Sequence, residues 1–166
     1  INLHLKLVAK TQNMSLLKKL IKKYWFSYPT PLIRSVITQV IIDNKLGDLS
    51  FINQIIKNNF NNLESKKLLA FFAIKNQKWE IARTNLSGLI GSSPSAEICL
   101  FMADIELGEN NDKQKSDSWI LRSESSIIED IWICKITQKT QNEWTALSNS
   151  GHFNSLVWSN PKMLLP

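Results

Sequence analysis

Apolar residues recur at helical spacing along about the first 125 residues, and this pattern restricts the fold more than any other feature of the sequence. Three stretches show it clearly: Leu16, Leu17, Leu20 and Ile21; Val36, Ile37, Val40 and Ile41; and Phe51, Ile52, Ile55 and Ile56. Short polar segments separate the stretches. The spacing predicts eight helices, at residues 2–10, 14–26, 31–43, 48–60, 63–75, 78–90, 94–107 and 111–123. Asp48 and Pro31 are typical of helix starts.

Small residues repeat at a nearly constant interval within this helical part. Ser15, Ser50, Ala82 and Ser116 are separated by 35, 32 and 34 residues. Tetratricopeptide repeats, which are helix–turn–helix units, have a period of about 34 residues. We therefore predict a mainly α fold in which residues 1–126 form an antiparallel helix-pair, tetratricopeptide-like solenoid of about four repeats. A non-repeating helical bundle remains the alternative.

The last 40 residues differ in character from the helical part. Residues 131–136 are rich in β-branched and aromatic side chains, residues 156–158 offer a partner strand, and residues 148–151 are typical of a turn. Three of the six tryptophans, Trp132, Trp144 and Trp158, lie in this segment. We predict that residues 127–166 form a small β-rich cap on the last repeat.

The formal net charge of +6 is unevenly distributed. Residues 1–60 carry nine basic residues and two acidic ones, whereas residues 94–130 carry nine acidic residues and three basic ones. Lys18, Lys19, Lys22 and Lys23 form one face of a predicted helix. This basic patch indicates either contact with an anionic membrane or nucleic acid, or a solvated helix face. Lysine supplies 17 of the 20 basic residues, which argues against specific nucleic-acid recognition, where arginine is favoured.

Patterns that carry catalysis or bind cofactors are missing from the sequence. It contains no Gly-rich phosphate loop, no HExxH and no Gly-x-Ser-x-Gly. His4 and His152 have no acid or cysteine at catalytic spacing and are poor candidates for haem ligands. Cys99 and Cys134 are too few for a disulfide framework, and no apolar run reaches the length of a membrane span. We therefore expect a protein that is not an enzyme and needs no cofactor.

Several short groups of residues form an ordered series in the second half of the chain. In the helical part they are Trp79-Glu80-Ile81-Ala82-Arg83 with Leu86, Pro94-Ser95-Ala96, Met102-Ala103-Asp104-Ile105-Glu106 and Trp119. In the tail they are Trp132-Ile133-Cys134, Glu143-Trp144, Gly151-His152-Phe153, Leu156, Trp158 and Pro161. In this order they resemble the C-terminal part of the HemY-type tetratricopeptide proteins of alphaproteobacteria. The resemblance covers roughly residues 64–161.

This resemblance implies a zinc ribbon for the tail, because the family carries two CxxC pairs there. Here Cys134 matches the first ligand, Thr137 occupies the second position, and residues 148–150 replace the second pair. With most ligands lost, we expect no bound metal. The retained aromatic residues indicate that the packing of the ribbon survives.

The resemblance also implies the soluble, cytoplasmic part of a bacterial inner-membrane-associated protein with an association with haem biosynthesis. We predict a non-enzymatic interaction module that binds a protein or peptide partner in the concave groove of the solenoid. The groove candidates, chosen as members of the first helix of each pair, are Arg34, Thr38, Lys66, Lys67, Phe72 and Phe101. The alternative function is binding of an anionic membrane or nucleic acid through the basic N-terminal helices.

Overall fold

In a computed structural model, the chain folds into eight α-helices followed by a small sheet; the structure describes residues 1–91, 93–126, 129–141 and 144–160. The helices are α1 (Asn2–Lys10), α2 (Met14–Ser27), α3 (Pro31–Asp43), α4 (Leu49–Ile56), α5 (Leu63–Lys75), α6 (Trp79–Ser87), α7 (Ala96–Asn110) and α8 (Lys113–Glu124), with a 3-10 turn at Lys57–Asn59. The mainly helical class and the eight predicted helices are confirmed. The predicted boundary after residue 126, Glu143, Pro161 and residues 162–166 lie at or outside the limits of the described residues.

Polar side chains fix the starts of five helices. In each case a side-chain oxygen accepts a hydrogen bond from a backbone N–H of the first turn; the residues are Asn13, Thr30, Asp48, Asn62 and Asp112. Such a cap stabilises a helix by about 1 kcal/mol. Pro31 occupies the first turn of α3, where its missing N–H costs nothing. The local sequence therefore specifies where these helices begin.

Two hydrophobic clusters hold the helices together, and α5 contributes to both. The first joins α1 to α5 around the fully buried Trp25. The second joins α5, α6 and α7 and contains Ala70 and Ala82, whose exposure is 0%. Small residues at these two positions allow the helices to approach closely.

Three of the four consecutive helix pairs pack together, whereas among the described residues α3 and α4 do not pack extensively against each other. Within the described part, α1 contacts α2, α5 contacts α6, and α7 contacts α8. The odd-numbered helices also contact one another in sequence, α1 with α3, α3 with α5, and α5 with α7. The side chains of these four helices therefore share one side of the helical array, which we call the odd-helix face.

One helix crossing depends on a glycine. An added Cβ at Gly108 of α7 would lie 2.3 Å from Cη2 of Trp79, the first residue of α6. Gly→Ala within a helix ordinarily stabilises, by about 1 kcal/mol, but here the indole ring must move. We expect Gly108→Ala to lower the free energy of unfolding by about 1–2 kcal/mol in urea titrations. The control is Gly88→Ala, because nothing lies within 4 Å of its added Cβ; an equal effect in both variants would contradict this reading.

The tail forms a three-stranded antiparallel sheet. Its strands are β1 (Ile131–Cys134), β2 (Thr140–Gln141) and β3 (Leu156–Ser159), in the order β2-β1-β3. The strands predicted around residues 131–136 and 156–158 are confirmed; β2 was not predicted. Trp132 pairs with Trp158 across β1 and β3, and their rings meet edge to face at 5.3 Å. These tryptophans give a very short sheet a hydrophobic core.

The sheet contacts helices from the first half of the chain, whereas the prediction placed it on the last repeat. Leu32 of α3 packs against the cluster of Trp132, Cys134 and Leu156. The Lys6 ammonium of α1 donates a hydrogen bond of 3.3 Å to the backbone carbonyl of Trp144. The sheet therefore lies against the odd-helix face near α1 and α3.

Candidate functional site

The six predicted groove residues lie in three different environments. Arg34 and Lys67 belong to a cluster of charged residues on the odd-helix face, and Thr38 and Lys66 are half-buried. Phe72 and Phe101 are only 3% and 8% exposed and belong to the hydrophobic core. These two predictions need correction, and so does that for Lys67, which is also 3% exposed, because none of the three side chains is accessible to a partner.

The burial of these phenylalanines follows from the position of α5. This helix is packed between α4 and α7 and buries residues on most of its circumference. Phe72 lies against Gly47, and Phe101 lies beside Phe71, with 6.2 Å between ring centroids. Assigning a residue to the first helix of a pair does not determine which way its side chain points.

Five charged residues form an ion cluster where the odd-helix face meets the tail: Arg34, Glu64, Lys67, Glu97 and Glu129. Arg34 Nε donates to Glu64 Oε2 at 2.6 Å, and its two Nη atoms donate to both oxygens of Glu97 at 2.7 and 2.6 Å. The Lys67 ammonium binds Glu129 and lies 3.4 Å from Glu97. The cluster thus connects α3, α5 and α7 with the residues that lead into β1.

The carboxyl groups of Glu97 and Glu129 shift each other's pKa in opposite directions. Burial raises the pKa of Glu97; the guanidinium of Arg34 opposes this effect, and neighbouring Glu129 adds to it. Burial also favours the neutral form of Glu129, but hydrogen bonds from Glu97 and Lys67 outweigh it and lower the pKa of Glu129 to about 2. The pKa of Glu97 therefore lies above that of Glu129.

The ion cluster is not visible in the sequence. Its members are far apart along the chain, with 63 positions between Arg34 and Glu97 and 62 between Lys67 and Glu129. Glu64, which follows the cap residue Asn62, is also typical of an ordinary first helical turn. One sequence feature points to the ion cluster: Arg34 is the only arginine before residue 83, in a chain whose other basic residues there are lysines.

An apolar cavity of about 370 Å³ opens between the helices and the sheet. We call it the tryptophan cavity; it is lined by Ile1, Asn2, Leu3, Leu32, Ile33, Val36, Trp132 and Trp144. The indole N–H of Trp132 is buried and has no hydrogen-bond partner among the described residues. Such a donor costs free energy unless an acceptor is supplied. The cavity has a largely apolar lining.

The predicted basic patch lies on α2. Lys19 and Lys23 are exposed, whereas Lys18 and Lys22 are half-buried. The Lys18 ammonium lies 5.2 Å from the centroid of the Phe51 ring, so part of its charge is used in a cation–π contact. Among the described residues, no helix combines the length and apolar character that a membrane crossing requires.

The predicted remnant of a zinc ribbon is held by hydroxyl groups. Cys134 is 1% exposed, and its thiol donates to the Ser155 hydroxyl at 3.3 Å. Thr137 and Ser150 are joined by a hydrogen bond of 2.8 Å between their hydroxyls. Hydrogen bonds from Ser155 and Thr137 lower the pKa of the Cys134 thiol to about 6. Zinc sites in proteins use several Cys, His, Asp or Glu ligands. A single thiol with hydroxyl neighbours, two of which hydrogen-bond to each other, does not provide such a set.

The two histidines do not complete a metal site in the described part of the chain. His4 Nδ1 is within 2.6 Å of the Tyr24 hydroxyl, and His152 lies in the tail. The described residues contain no group of three His, Cys, Asp or Glu side chains placed to hold a metal ion.

Comparison with known proteins assigns no family, because no family model, no curated protein and no solved structure matches the chain.

Proposed function

We infer that the protein is a non-enzymatic interaction module, built as a tetratricopeptide-like solenoid, that binds a protein or peptide partner at the odd-helix face. Support for the solenoid comes from the ordered contacts of α1, α3, α5 and α7 and from the contact between α2 and α4. Stacked helix pairs produce such contacts, with one helix of each pair lining a continuous inner surface.

The tryptophan cavity is the observation that carries this proposal. Its volume of about 370 Å³ is within the range of cavities that bind a small group, and its lining is largely aliphatic and aromatic. An apolar side chain of the partner fits this environment. Aromatic-lined pockets of this kind anchor many protein interfaces.

The ion cluster supports a structural role better than a catalytic one. Arg34 and Lys67 are 12% and 3% exposed at their side chains and are bound by the carboxylates around them. Groups that neutralise each other in this way are not available to act on a substrate. Association with a bacterial inner membrane and a role near haem biosynthesis rest on the resemblance alone.

The role of the tryptophan cavity in binding is tested by placing a larger side chain at its edge. Leu3 lines the cavity and is 62% exposed, so we expect Leu3→Trp to fill the space without unfolding the chain. Peptides selected from a random library on the wild-type chain should carry a large apolar residue. Because one buried side chain is lost, Leu3→Trp should weaken their binding by about 10-fold or more, measured by fluorescence titration.

Leu7→Trp is the matched control for this experiment. Leu7 is on the same helix, is 53% exposed and does not line the cavity. We expect its affinity for the selected peptides to stay close to that of the wild type. The proposal fails if both variants bind equally well, or if the selected peptides share no apolar residue.

A further inference from the structure

Four exposed apolar residues lie together at one end of the helical array. Phe26, Tyr28, Phe60 and Leu63 are 60%, 56%, 52% and 46% exposed. We call this surface the aromatic edge. Single exposed apolar residues are common on proteins, but a contiguous group of large ones indicates a binding surface.

Hydrogen bonds between three segments bring these residues together. The Asn59 amide donates to the backbone carbonyls of Trp25 at 3.1 Å and Phe26 at 3.3 Å. The Trp25 indole donates to the Ser65 hydroxyl at 3.0 Å. The end of α2, the 3-10 turn after α4 and the start of α5 therefore meet at one place. The aromatic edge is fixed by the fold beneath it.

Positive charge surrounds the aromatic edge. Lys19, Lys22 and Lys23 of α2 lie about one to two turns before Phe26, and Lys57 lies in the 3-10 turn. None of these four lysines forms an ion pair within the part of the chain that the structure describes. Their charge is therefore available to an external anion.

Acidic residues are either distant from the aromatic edge or paired with basic residues. Before residue 64 the chain has two acidic residues, Asp43 and Asp48. Asp43 ends α3 and Asp48 caps α4, so both lie at the opposite ends of these helices, about 18 Å along the axis for α3. Glu64, next to Leu63, is buried and bound by Arg34. Glu97 and Glu129 belong to the same ion cluster as Glu64 and are paired with Arg34 and Lys67, which offsets their repulsion of an anionic surface.

We propose that the aromatic edge docks the protein onto an anionic lipid surface. The rings of Phe26 and Phe60 enter the boundary between headgroups and acyl chains, and the lysines contact lipid phosphates. Stable peripheral binding takes two signals, such as apolar insertion together with basic residues, and the aromatic edge supplies both. A membrane is favoured over nucleic acid because the charges are lysines; Arg34, the one nearby arginine, is already bound by carboxylates.

Vesicle sedimentation with the full chain tests this proposal. We expect binding to phosphatidylcholine vesicles that contain phosphatidylglycerol and little binding to phosphatidylcholine alone. Reversing the charge at Lys22, Lys23 and Lys57 to Glu should weaken binding about 10-fold or more. The control reverses three exposed lysines elsewhere, Lys78, Lys113 and Lys139, with the same change in net charge. It should change binding by less than about 3-fold, since contacts beyond a Debye length are screened.

A second variant tests insertion separately from charge. Phe26→Ser with Phe60→Ser keeps every lysine and removes two exposed rings, so folding should be retained, as circular dichroism can verify. We expect at least about a 10-fold loss of vesicle binding, because two apolar side chains no longer insert. Equal losses in the two lysine variants, unchanged binding without the rings, or tighter binding of a single-stranded oligonucleotide than of vesicles would each overturn the proposal. Leu3→Trp should bind vesicles normally, which separates this test from that of the tryptophan cavity.

Discussion

Replacing Arg34 by alanine is expected to lower the free energy of unfolding by about 3–5 kcal/mol, because the change leaves buried carboxylates without their partner. Glu64 is 5% exposed, and Arg34 is the residue that donates to it within 2.6 Å. Glu97 also loses both hydrogen bonds from the guanidinium. Urea titration followed by tryptophan fluorescence measures the loss.

Two further variants show whether the geometry of the guanidinium matters. Arg34→Lys keeps the charge but cannot form the fork that binds Glu64 and Glu97 together, so its stability should lie between those of Arg34→Ala and the wild type. Lys115→Ala breaks a pair with Asp112 in which the lysine side chain is 66% exposed, and it should have little effect. Similar losses in Arg34→Ala and Lys115→Ala would show that the ion cluster does not support the fold.

Glu129→Gln is expected to change how stability depends on pH. In the wild type the pKa of Glu129 falls from 4.5 to about 2 on folding. The stabilisation that Glu129 contributes to the free energy of unfolding is therefore present above pH 4.5. It is lost as the pH falls towards 2, by up to about 3 kcal/mol. The pKa of Glu97 is raised, so its contribution has the opposite sign: it is present at low pH and is lost as the pH rises through the raised pKa.

The difference in unfolding free energy between the wild type and Glu129→Gln should therefore be largest near pH 4.5 and smaller on both sides. Taking the difference between the two proteins cancels the contributions of other acids. One of these is Glu106, whose pKa is lowered by the hydrogen bond from Arg83. Urea titrations of both proteins across this range provide the measurement. A difference that rises or falls steadily with pH would mean that Glu97 and Glu129 titrate independently.

The periodicity of the apolar residues predicted most of the helices, because the residues that begin each helix are close to it in the sequence. The capping residues Asn13, Asp48 and Asn62 lie at the starts that the pattern indicates. Helix ends were less predictable: α4 gives way to a 3-10 turn at Lys57, and α6 ends at Ser87 although apolar residues continue to Ile90. Strand β2, with two residues, is too short to produce an alternating pattern.

The candidate site was predicted only in part, because it depends on contacts between distant segments. The choice of helices led to Arg34 and Lys67 as groove candidates, but it could not show that they pair with Glu97 and Glu129, which come from other elements. For Phe72 the error is one of rotation about the axis of α5: the adjacent Phe71 is half-buried, whereas Phe72 is in the core. The tryptophan cavity requires the tail to fold back onto α1 and α3, which no local pattern shows.

The contact between Lys6 and Trp144, 138 positions apart, has a consequence for how the molecule unfolds. In an open array of helix pairs each unit contacts only its neighbours, so the ends fray first and the loss of structure spreads inwards. Here the tail bridges α1, α3 and α5, so loosening the first helix also loosens the sheet and the ion cluster. Because the tail contacts the first helices, we expect the two ends of the chain to unfold together in one cooperative step.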